Sequence, residues 1–287
     1  MSIIKQNDTD VLIPNIQTPL SAKLHCFSEA APLLVFAHGF CGNKDENGLF
    51  SEAADYFFAE GFSTIRFDFR GCGDNRDSFR HVRLLDLRTD ILSVMRFVEK
   101  DLPLKPRSIG FVGFSLGAII GILANCKSIK AYALWSPAIY TNRDMYPRYN
   151  TPSVNEDLVQ KGFFTKSGIE VGPGFLQDLK ENSALEKIRE LSKPVLLVHG
   201  EADTRIPVSS TREAASLFRR RPGLCIIPGA GHSFKNDPVH RSYAFSATVQ
   251  FFERHLTNHR AASTNQSPRL FEDLSDPAKN GKQVLQL

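Results

Sequence analysis

Three residues of the types that cleave acyl bonds follow one another in the order serine, aspartate, histidine. Ser115 lies in "GFVGFSLGAII" (110–120), Asp203 in "VLLVHGEADTRIP" and His232 in "IIPGAGHSF". A serine hydroxyl is a poor nucleophile without a base. An imidazole base in turn needs a third group to orient it and to stabilise its charged form. These residue types predict nucleophilic acyl transfer with Ser115, His232 and Asp203 as the catalytic residues.

The surroundings of the serine indicate a sharp turn between a strand and a helix. The pattern is G-x-S-x-G, formed by Gly113-Phe114-Ser115-Leu116-Gly117. Such a turn strains the serine backbone and leaves no room for neighbouring side chains, which explains the two glycines. Small residues also occur at strand-to-helix turns for packing alone, so the pattern gains its weight from Asp203 and His232.

Acyl transfer also needs N–H donors aimed at the oxygen that becomes negative. The residue after the nucleophile, Leu116, is one expected donor, and a loop after an early strand should supply the other. That loop is "VFAHGFCGNK", in which Phe40 follows His38-Gly39. Loss of one such donor costs about 3 kcal/mol of transition-state stabilisation. The predicted oxyanion hole consists of the backbone N–H groups of Phe40 and Leu116.

Other polar residues are predicted to support these groups. His38 and His199 are expected to brace the loops that they begin. Glu201 is an alternative acid two residues before Asp203, but the H-G-x-x-D spacing favours Asp203. Asp86 and Asp90 lie one helical turn apart, a spacing that glycosidase chemistry could use, although a solvated helix face explains them more simply.

Phenylalanine is abundant, and several of these residues fall near the expected site. Most of the 22 phenylalanines must belong to the core. Those in the early loop, at the serine turn and in the region that follows are candidates for an apolar acyl or aryl pocket. These candidates are Phe114, Phe163, Phe164 and Phe175, with Phe40 beside them.

The elements that must position these residues alternate between strand and helix. Apolar runs at 33–38, 63–69, 108–114, 131–136, 194–200 and 224–229 are typical of strands covered on both faces. Helical patterns occupy 47–61, 83–100, 209–221 and 240–256. The alternating segment 20–27 predicts an antiparallel edge strand. This succession predicts an α/β fold with a mostly parallel, doubly wound sheet flanked by helices.

The alternation is interrupted between residues 138 and 193, and it fades after 256. The first region carries scattered glycine, proline and charge, with a predicted hairpin turning at 166–168. We interpret it as a small cap insertion within a single domain, 1–256. Residues 257–287 are polar and predict a flexible tail that could dock through Leu270 and Phe271.

Composition limits the remaining classes of function. The 287 residues are 42% hydrophobic and carry a formal charge of +4, with one tight basic run at 219–221. Neither a nucleic-acid partner nor a membrane span is expected. The start of the chain lacks a secretion signal pattern, so a cytoplasmic location is predicted.

The five widely spaced cysteines predict buried free thiols, with a redox role for Cys41 or Cys72 as the alternative. No metal or cofactor is expected.

The chain resembles serine esterases of the α/β-hydrolase superfamily over about residues 18–256. The matching segments are "HGF", "DFRGCGDN", "GFSLG", "HGEADTRIP" and "GAGHSF", in the same order and spacing. Within that superfamily it is most similar to cinnamoyl and feruloyl esterases, and to the acyl-peptide-hydrolase and monoglyceride-lipase branches. Asn75 departs from the pattern, since many relatives carry serine there, and the tail extends beyond the usual end.

The resemblance implies a carboxylesterase that cleaves small acyl or aryl (cinnamoyl-like) esters. Its partner would be a small-molecule ester, and the sequence leaves a homodimer open. Amide or thioester hydrolysis and monoacylglycerol hydrolysis are alternatives, and Arg143 or Arg148 could then anchor a peptide terminus. A non-catalytic ligand-binding protein of the same fold is a further alternative. The cap, which sets substrate preference, is the segment that the sequence specifies least.

Overall fold

The computed structural model describes residues 8–75, 77–181, 184–235, 237–257 and 272–273. Within these residues the strands form one large sheet and one hairpin. In chain order, the strands are β1 (Thr9–Ile13), β2 (Leu20–His25), β3 (Leu33–Ala37), β4 (Ser63–Phe67), β5 (Ile109–Phe114), β6 (Ile129–Trp135), β7 (Phe164–Lys166), β8 (Ile169–Val171), β9 (Val195–Gly200), β10 (Gly223–Ile227) and β11 (Glu272–Asp273).

The α-helices lie between and after these strands. They are α1 (Leu49–Ala59), α2 (Leu84–Lys100), α3 (Leu116–Ala124), α4 (Tyr146–Tyr149), α5 (Pro152–Lys161), α6 (Pro173–Glu181), α7 (Ala184–Glu190), α8 (Val208–Ala214) and α9 (Pro238–Leu256). A 3-10 turn at Glu46–Gly48 leads into α1, a π-helical turn at Thr141–Met145 leads into α4, and a 3-10 turn at Ala215–Leu217 follows α8.

The large sheet confirms the predicted fold class. Its order is β1-β2-β4-β3-β5-β6-β9-β10-β11, and the run from β4 to β10 is parallel. Strands β3, β4 and β5 are buried along their whole length because helices cover both faces. Apolar residues of α2 and α3 fill the core on one face, and those of α1 and α9 fill it on the other. This arrangement places the carboxyl ends of the parallel strands along one edge.

Two details predicted from the sequence are wrong: the edge position of β2 and the end of the helix predicted at 209–221. Strand β2 is antiparallel as predicted, but β1 pairs outside it, so β2 is not the edge strand. Strand β1 is mostly exposed and buries only Ile13, so its sequence lacks a strong strand pattern. The helix predicted at 209–221 ends at Ala214, because the chain becomes extended at Phe218 and buries that side chain in the core.

The region between β6 and β9 contains more helix than its composition indicated. It holds α4 to α7 and the β7–β8 hairpin, whose turn residues Ser167 and Gly168 have φ of +51° and +80°. The hairpin turn therefore lies where it was predicted. Helix α7 packs against α3 beside the main sheet. The helices were missed because few of their residues are buried, so the apolar faces are short.

Ion pairs fasten this region to the loop before α2. The guanidinium of Arg80 donates to Glu170 at 2.7 Å, and that of Arg83 donates to Asp178 at 2.8 Å. Gly172 passes so close that a Cβ there would lie 1.9 Å from the carbonyl oxygen of Arg80. The hairpin and α6 are thus held at fixed points over the carboxyl edge of the sheet.

Two residues of the C-terminal segment join the main sheet. Strand β11 pairs with β10 in antiparallel register, with Asp273 opposite Gly223. The predicted docking residues Leu270 and Phe271, like the rest of 258–271 and 274–287, lie outside the described residues. In the part of the chain that the structure describes, no helix is both long and apolar enough to cross a membrane.

Candidate active site

Ser115 occupies a tight turn between β5 and α3. Its φ and ψ are +53° and −113°, a strained conformation for a residue with a side chain, and its N–H donates to the carbonyl of Trp135 at 2.8 Å. A Cβ at Gly113 would lie 2.5 Å from the Cα of Ala118, and one at Gly117 would lie 2.2 Å from a main-chain oxygen. Both flanking glycines are therefore required by backbone packing.

The structure brings Ser115, His232 and Asp203 into one chain of hydrogen-bonded side chains. Nε2 of His232 lies 3.1 Å from Oγ of Ser115, and Nδ1 of His232 lies 2.6 Å from Oδ2 of Asp203. Because an ionised carboxylate only accepts hydrogen bonds, Nδ1 carries the proton and Nε2 is free to accept from the serine. The loops after β9 and β10 supply the two partners.

Asp203 is held in its ionised form. Its Oδ1 accepts the backbone N–H groups of Arg205 at 2.7 Å and Ile206 at 3.0 Å. Burial alone would raise the pKa of this carboxyl, but hydrogen bonds from His199, His232 and Ile206 outweigh burial and hold the pKa well below its usual range. Glu201, the alternative acid, is exposed. Asp203 is therefore the carboxylate that contacts His232.

The imidazole of His232 is neutral near neutral pH. Burial lowers its pKa below the ordinary 6.5, and the hydrogen bond to Asp203 raises the pKa only in part. Its ring lies 5.0 Å from the ring of Phe114, at an angle of 51°. A neutral imidazole with a free Nε2 is the form that can accept the proton of Ser115.

His38 braces the loop that follows β3. Its Nε2 accepts the N–H of Phe69 at 3.0 Å, so its Nδ1 carries the proton and donates to the carbonyl of Gly39 at 2.8 Å. Burial lowers the pKa of His38 to about 4, which keeps this neutral tautomer. The hydrogen bonds agree with the bracing role predicted for His38.

Glu46 also supports this loop, and sequence reasoning missed it. Its Oε2 accepts the N–H of Gly39 at 2.8 Å, and burial raises the pKa of its carboxyl to about 7. Gly39 in turn lies beside the serine turn, since a Cβ there would lie 3.1 Å from Cδ1 of Phe114 and 3.4 Å from Cβ of Ser115. No motif marks Glu46, since its position depends on the left-handed turn that Cys41, Glu46 and Asn47 adopt with positive φ.

The two predicted oxyanion donors lie next to the serine in different ways. Leu116 is the first residue of α3, where backbone N–H groups have no partner within the helix. Phe40 follows Gly39 and lines the same cleft as Ser115. These placements are compatible with the donor roles, which remain predictions.

A cleft of about 480 Å³, counted with the solvent space at its mouth, opens above Ser115 and His232. The acidic residue Glu46 and the basic residues Arg148, Lys166 and Arg205 line it. The apolar and aromatic lining residues are Phe40, Phe114, Met145, Tyr149 and Ile206. The sequence singled out Phe40, Phe114 and Arg148 among these. Arg143, the other candidate anchor, instead pairs with Glu213 at 2.9 Å.

Three of the phenylalanines assigned to the pocket do not line this cleft. Phe175 is fully buried behind Phe40, with the two rings stacked at 4.7 Å. Phe164 is buried against Tyr149, and Phe163 lies under the guanidinium of Arg80 at 3.9 Å. Their assignment to the wall of this cleft is wrong, because Phe164 on β7 and Phe175 on α6 pack into the core and Phe163 contacts Arg80 instead.

Asn75, which departs from the family pattern, holds the loop after β4. Its Nδ2 donates to the carbonyls of Asp68 at 2.7 Å and Phe69 at 3.2 Å, and its Oδ1 accepts the N–H of Ser21 at 2.8 Å. The amide satisfies three backbone groups, whereas a serine hydroxyl is shorter and offers a single O–H donor. Asn75 is therefore a structural residue in a buried loop.

The carboxylates of Asp86 and Asp90 also have structural partners. Asp90 is fully buried and accepts from Arg70 at 2.6 and 2.9 Å, and Asp86 accepts the N–H of Arg83 at the start of α2. Neither lines the described cleft. The glycosidase alternative therefore has no support.

All five cysteines are free, and four of them are buried. Burial raises the pKa of Cys41 to about 12 and that of Cys72 well above its ordinary value. Both thiols are therefore protonated at neutral pH, which disfavours the redox alternative because the thiolate is the reactive form.

With this geometry in place, comparison with known families identifies the chain. Residues 34–244 match the sequence profile of the "Alpha/beta hydrolase family". The chain belongs to this family. The match includes Ser115, Asp203 and His232, and it extends across the cap region between β6 and β9.

The curated relatives are proteins described as uncharacterized. One from Escherichia coli, encoded in the traX-finO intergenic region, is 40% identical over 87 residues, or 30% of this chain and 29% of its own length. One from Mycobacterium tuberculosis is 24% identical over 200 residues, or 69% of this chain and 61% of its own length. The chain thus spans less than two thirds of the length of either relative.

Solved structures similar to this α/β hydrolase include esterases. Est1E from Butyrivibrio proteoclasticus, solved with ferulic acid bound, superimposes with a TM-score of 0.74 and 22% identity, covering 85% of this chain and 98% of Est1E. The Pyrococcus furiosus esterase Pf2001 gives a TM-score of 0.68 and 19% identity, covering 87% and 92%. At these identities the similarity establishes the fold.

Proposed function

We propose that this α/β hydrolase is a serine carboxylesterase that cleaves small acyl or aryl esters. The observation that supports this most is the hydrogen-bonded chain from Ser115 Oγ through His232 to Asp203, with distances of 3.1 and 2.6 Å. Each link has the atom and the protonation state that acyl transfer needs, since Asp203 is ionised and the Nε2 of His232 is unprotonated.

In the first half of the reaction, Oγ of Ser115 attacks the ester carbonyl while Nε2 of His232 accepts its proton. Asp203 keeps the imidazole in the required tautomer and stabilises the positive charge that forms on it. The N–H groups of Phe40 and Leu116 donate to the negative oxygen of the tetrahedral intermediate. His232 then transfers the proton to the departing alcohol, which leaves an acyl group on Ser115.

In the second half, His232 removes a proton from water, and the water attacks the acyl group. The tetrahedral intermediate collapses, Ser115 regains its proton from His232, and the acid leaves. The cleft above Ser115 is lined both by apolar residues such as Phe114 and Ile206 and by charged groups. The apolar lining suits a short acyl or aryl group.

A panel of esters tests this proposal and separates it from its alternatives. The panel contains short and long p-nitrophenyl acyl esters, methyl ferulate, a monoacylglycerol and an acetyl-aminoacyl amide, each measured with the wild type and with Ser115→Ala. We expect turnover of short or aryl esters that is lost in Ser115→Ala. Preference for the amide would favour a peptidase, and preference for the monoacylglycerol would favour a lipase. Turnover equal in both proteins would overturn the proposal.

A further inference from the structure

Three cationic side chains line the cleft around Ser115 and His232: Arg148 from α4, Lys166 from β7, and Arg205 from the loop that carries Asp203. Two of them belong to the region between β6 and β9 and one to the loop after β9, so they come from different elements. A substrate bound in this cleft therefore lies near positive charges contributed by three different elements.

These three cations are not neutralised by carboxylates among the described residues. The guanidinium of Arg148 donates to the carbonyls of Thr204 at 3.2 Å and Arg205 at 3.3 Å, which fixes its position and leaves its charge unpaired. In the part of the chain that the structure describes, the side chains of Lys166 and Arg205 have no ion-pair partner. Lys166 is half-buried, so its charge is partly shielded from water.

Some cations of the same region that lie outside the cleft have acidic partners. Arg143 pairs with Glu213 at 2.9 Å, and Lys161 pairs with Asp157 at 2.7 Å. Three cations without a carboxylate partner meet in the lining of one cleft, which is the pattern expected of a surface that binds an anion.

The negative groups at the cleft do not cancel this charge. Asp203 is already engaged by His232 and by two backbone N–H groups. Glu46 lines the cleft, but it accepts the N–H of Gly39, and burial raises its pKa to about 7, so it carries only part of a negative charge near neutral pH. The charge of Arg205 reaches both Glu46 and His232, since it lowers the pKa of each.

We infer that the cleft selects esters whose acyl or alcohol part carries an anionic oxygen group such as a carboxylate. This inference rests on the proposed esterase function and names its substrate class. Positive charge within a cleft concentrates anionic substrates, and guanidinium and ammonium groups form charge-assisted hydrogen bonds with carboxylate oxygens. The ester of a dicarboxylic acid and the ester of a hydroxybenzoate are the simplest members of this class.

Pairs of esters that differ by one charge provide the test. On the acyl side, mono-4-nitrophenyl adipate is compared with its carboxamide isostere, in which the free carboxyl is a neutral amide. On the alcohol side, 4-acetoxybenzoate is compared with 4-acetoxybenzamide. The measured quantity is the ratio of kcat/KM for the anionic and neutral members, corrected for their rates of hydrolysis by hydroxide.

The ratio is measured for the wild type, Arg205→Gln, Lys166→Gln and the double variant, with Lys161→Gln as the matched control. Arg205→Gln keeps the backbone N–H that Asp203 accepts, so that contact with the triad is preserved. We expect the wild type to prefer one anionic member, each single variant to reduce the preference about threefold to fivefold, and Lys161→Gln to leave it unchanged. Salt at about 0.5 M should also reduce the preference.

The failure of this inference is distinguishable from the failure of the esterase proposal. Turnover that depends on Ser115, with equal rates on the anionic and neutral members, would overturn the substrate class and leave the esterase proposal intact. If no ester is turned over, binding of 4-acetoxybenzoate and 4-acetoxybenzamide to Ser115→Ala is compared by calorimetry. Tighter binding of the anion, weakened in Arg205→Gln, would support an anion site, and equal or absent binding of both would overturn it.

Discussion

His199 lies with its Nε2 3.1 Å from Oδ2 of Asp203, the same oxygen that His232 contacts. Nδ1 of His199 lies 2.7 Å from Oγ1 of Thr211, and Nε2 also lies 3.0 Å from the carbonyl of Ile206. An N–H on Nε2 donates to both acceptors, the carboxylate of Asp203 and the carbonyl of Ile206, and the threonine hydroxyl then donates to Nδ1. His199 is thus a positioning residue that holds the carboxylate for His232.

Removal of this N–H should impair turnover more than substrate binding. We expect His199→Leu to lower kcat about tenfold with little change in KM, because a hydrogen bond to a charged group contributes about 1.5–3 kcal/mol. His199→Gln restores an N–H donor and should recover part of the loss. Steady-state kinetics of the two variants measure the difference. Wild-type kcat in a less stable His199→Leu protein would mean that His199 serves packing alone.

The pH dependence of kcat/KM should report the ionisation of His232. Only neutral His232 can act as the base, so activity rises with pH through its pKa, which burial holds below 6.5. Asp203 raises that pKa by stabilising the imidazolium. In Asp203→Asn we therefore expect kcat to fall by about 10⁴ and the acidic limb to move to lower pH.

Full pH profiles of wild type and Asp203→Asn, taken from pH 4 to 8 on one ester, measure both effects. The matched control is Glu201→Gln, since Glu201 is exposed and lies two residues away. An acidic limb that moved to higher pH in Asp203→Asn, or a loss of less than tenfold, would show that another group orients His232.

The sequence predicted the groups at the carboxyl ends of the parallel strands well, and the physical reason is local. The turn at Ser115 needs glycine two residues before and two residues after the serine, so five consecutive residues are enough to recognise the turn. Asp203 and His232 each follow a buried strand with a strong apolar pattern. Topology then brings them together, because parallel strands end at a common edge.

The cleft wall could not be predicted in the same way, since it depends on tertiary packing. Phe40 was identified by its place in the loop, but the ring of Phe175 stacks behind it, and Phe163 turns toward Arg80. Lys166 is an ordinary hairpin residue in the sequence and reaches the cleft only because the cap is fastened over the sheet. Strand β1 was missed because its side chains are mostly exposed.

Glu46 should make stability depend on pH in a definite direction. Its pKa is about 7 when folded and 4.5 ordinarily, so the folded state binds the proton more tightly. Its contribution to stability is fully present below about pH 4.5 and is lost as the pH rises through about 7. The loss amounts to about 3 kcal/mol, from the difference in pKa. Glu46→Gln cannot titrate and should lack this loss.

Urea unfolding of wild type and Glu46→Gln at several pH values between 5 and 8 tests this prediction. The free energy of unfolding of Glu46→Gln minus that of the wild type should increase as the pH rises across that window. Changes from His38 and His232 occur in both proteins and cancel in the difference. If this difference in unfolding free energy is constant or falls as the pH rises, the raised pKa of Glu46 is contradicted.

The glycines beside Ser115 should tolerate no side chain. A Cβ at Gly117 would lie 2.2 Å from the carbonyl oxygen of Ala37, a rigid strand atom, so Gly117→Ala should abolish activity and lower the melting temperature sharply. Gly162 serves as the control, because its φ is +79° with nothing within 4 Å of an added Cβ. Gly162→Ala should lose only about 1–2 kcal/mol of stability. Equal effects of the two changes would contradict the packing explanation.

The central claim is that His232 activates Ser115 as a nucleophile, and covalent labelling tests it most directly. Wild type, Ser115→Ala and His232→Ala are treated with a fluorophosphonate, and the intact mass of each protein is followed with time. The account predicts one adduct on the wild type, located in the peptide that contains Ser115. It predicts no adduct on Ser115→Ala and labelling slowed by at least about 10³ in His232→Ala. A folded wild type that stays unlabelled, or an adduct on another residue, would contradict the account.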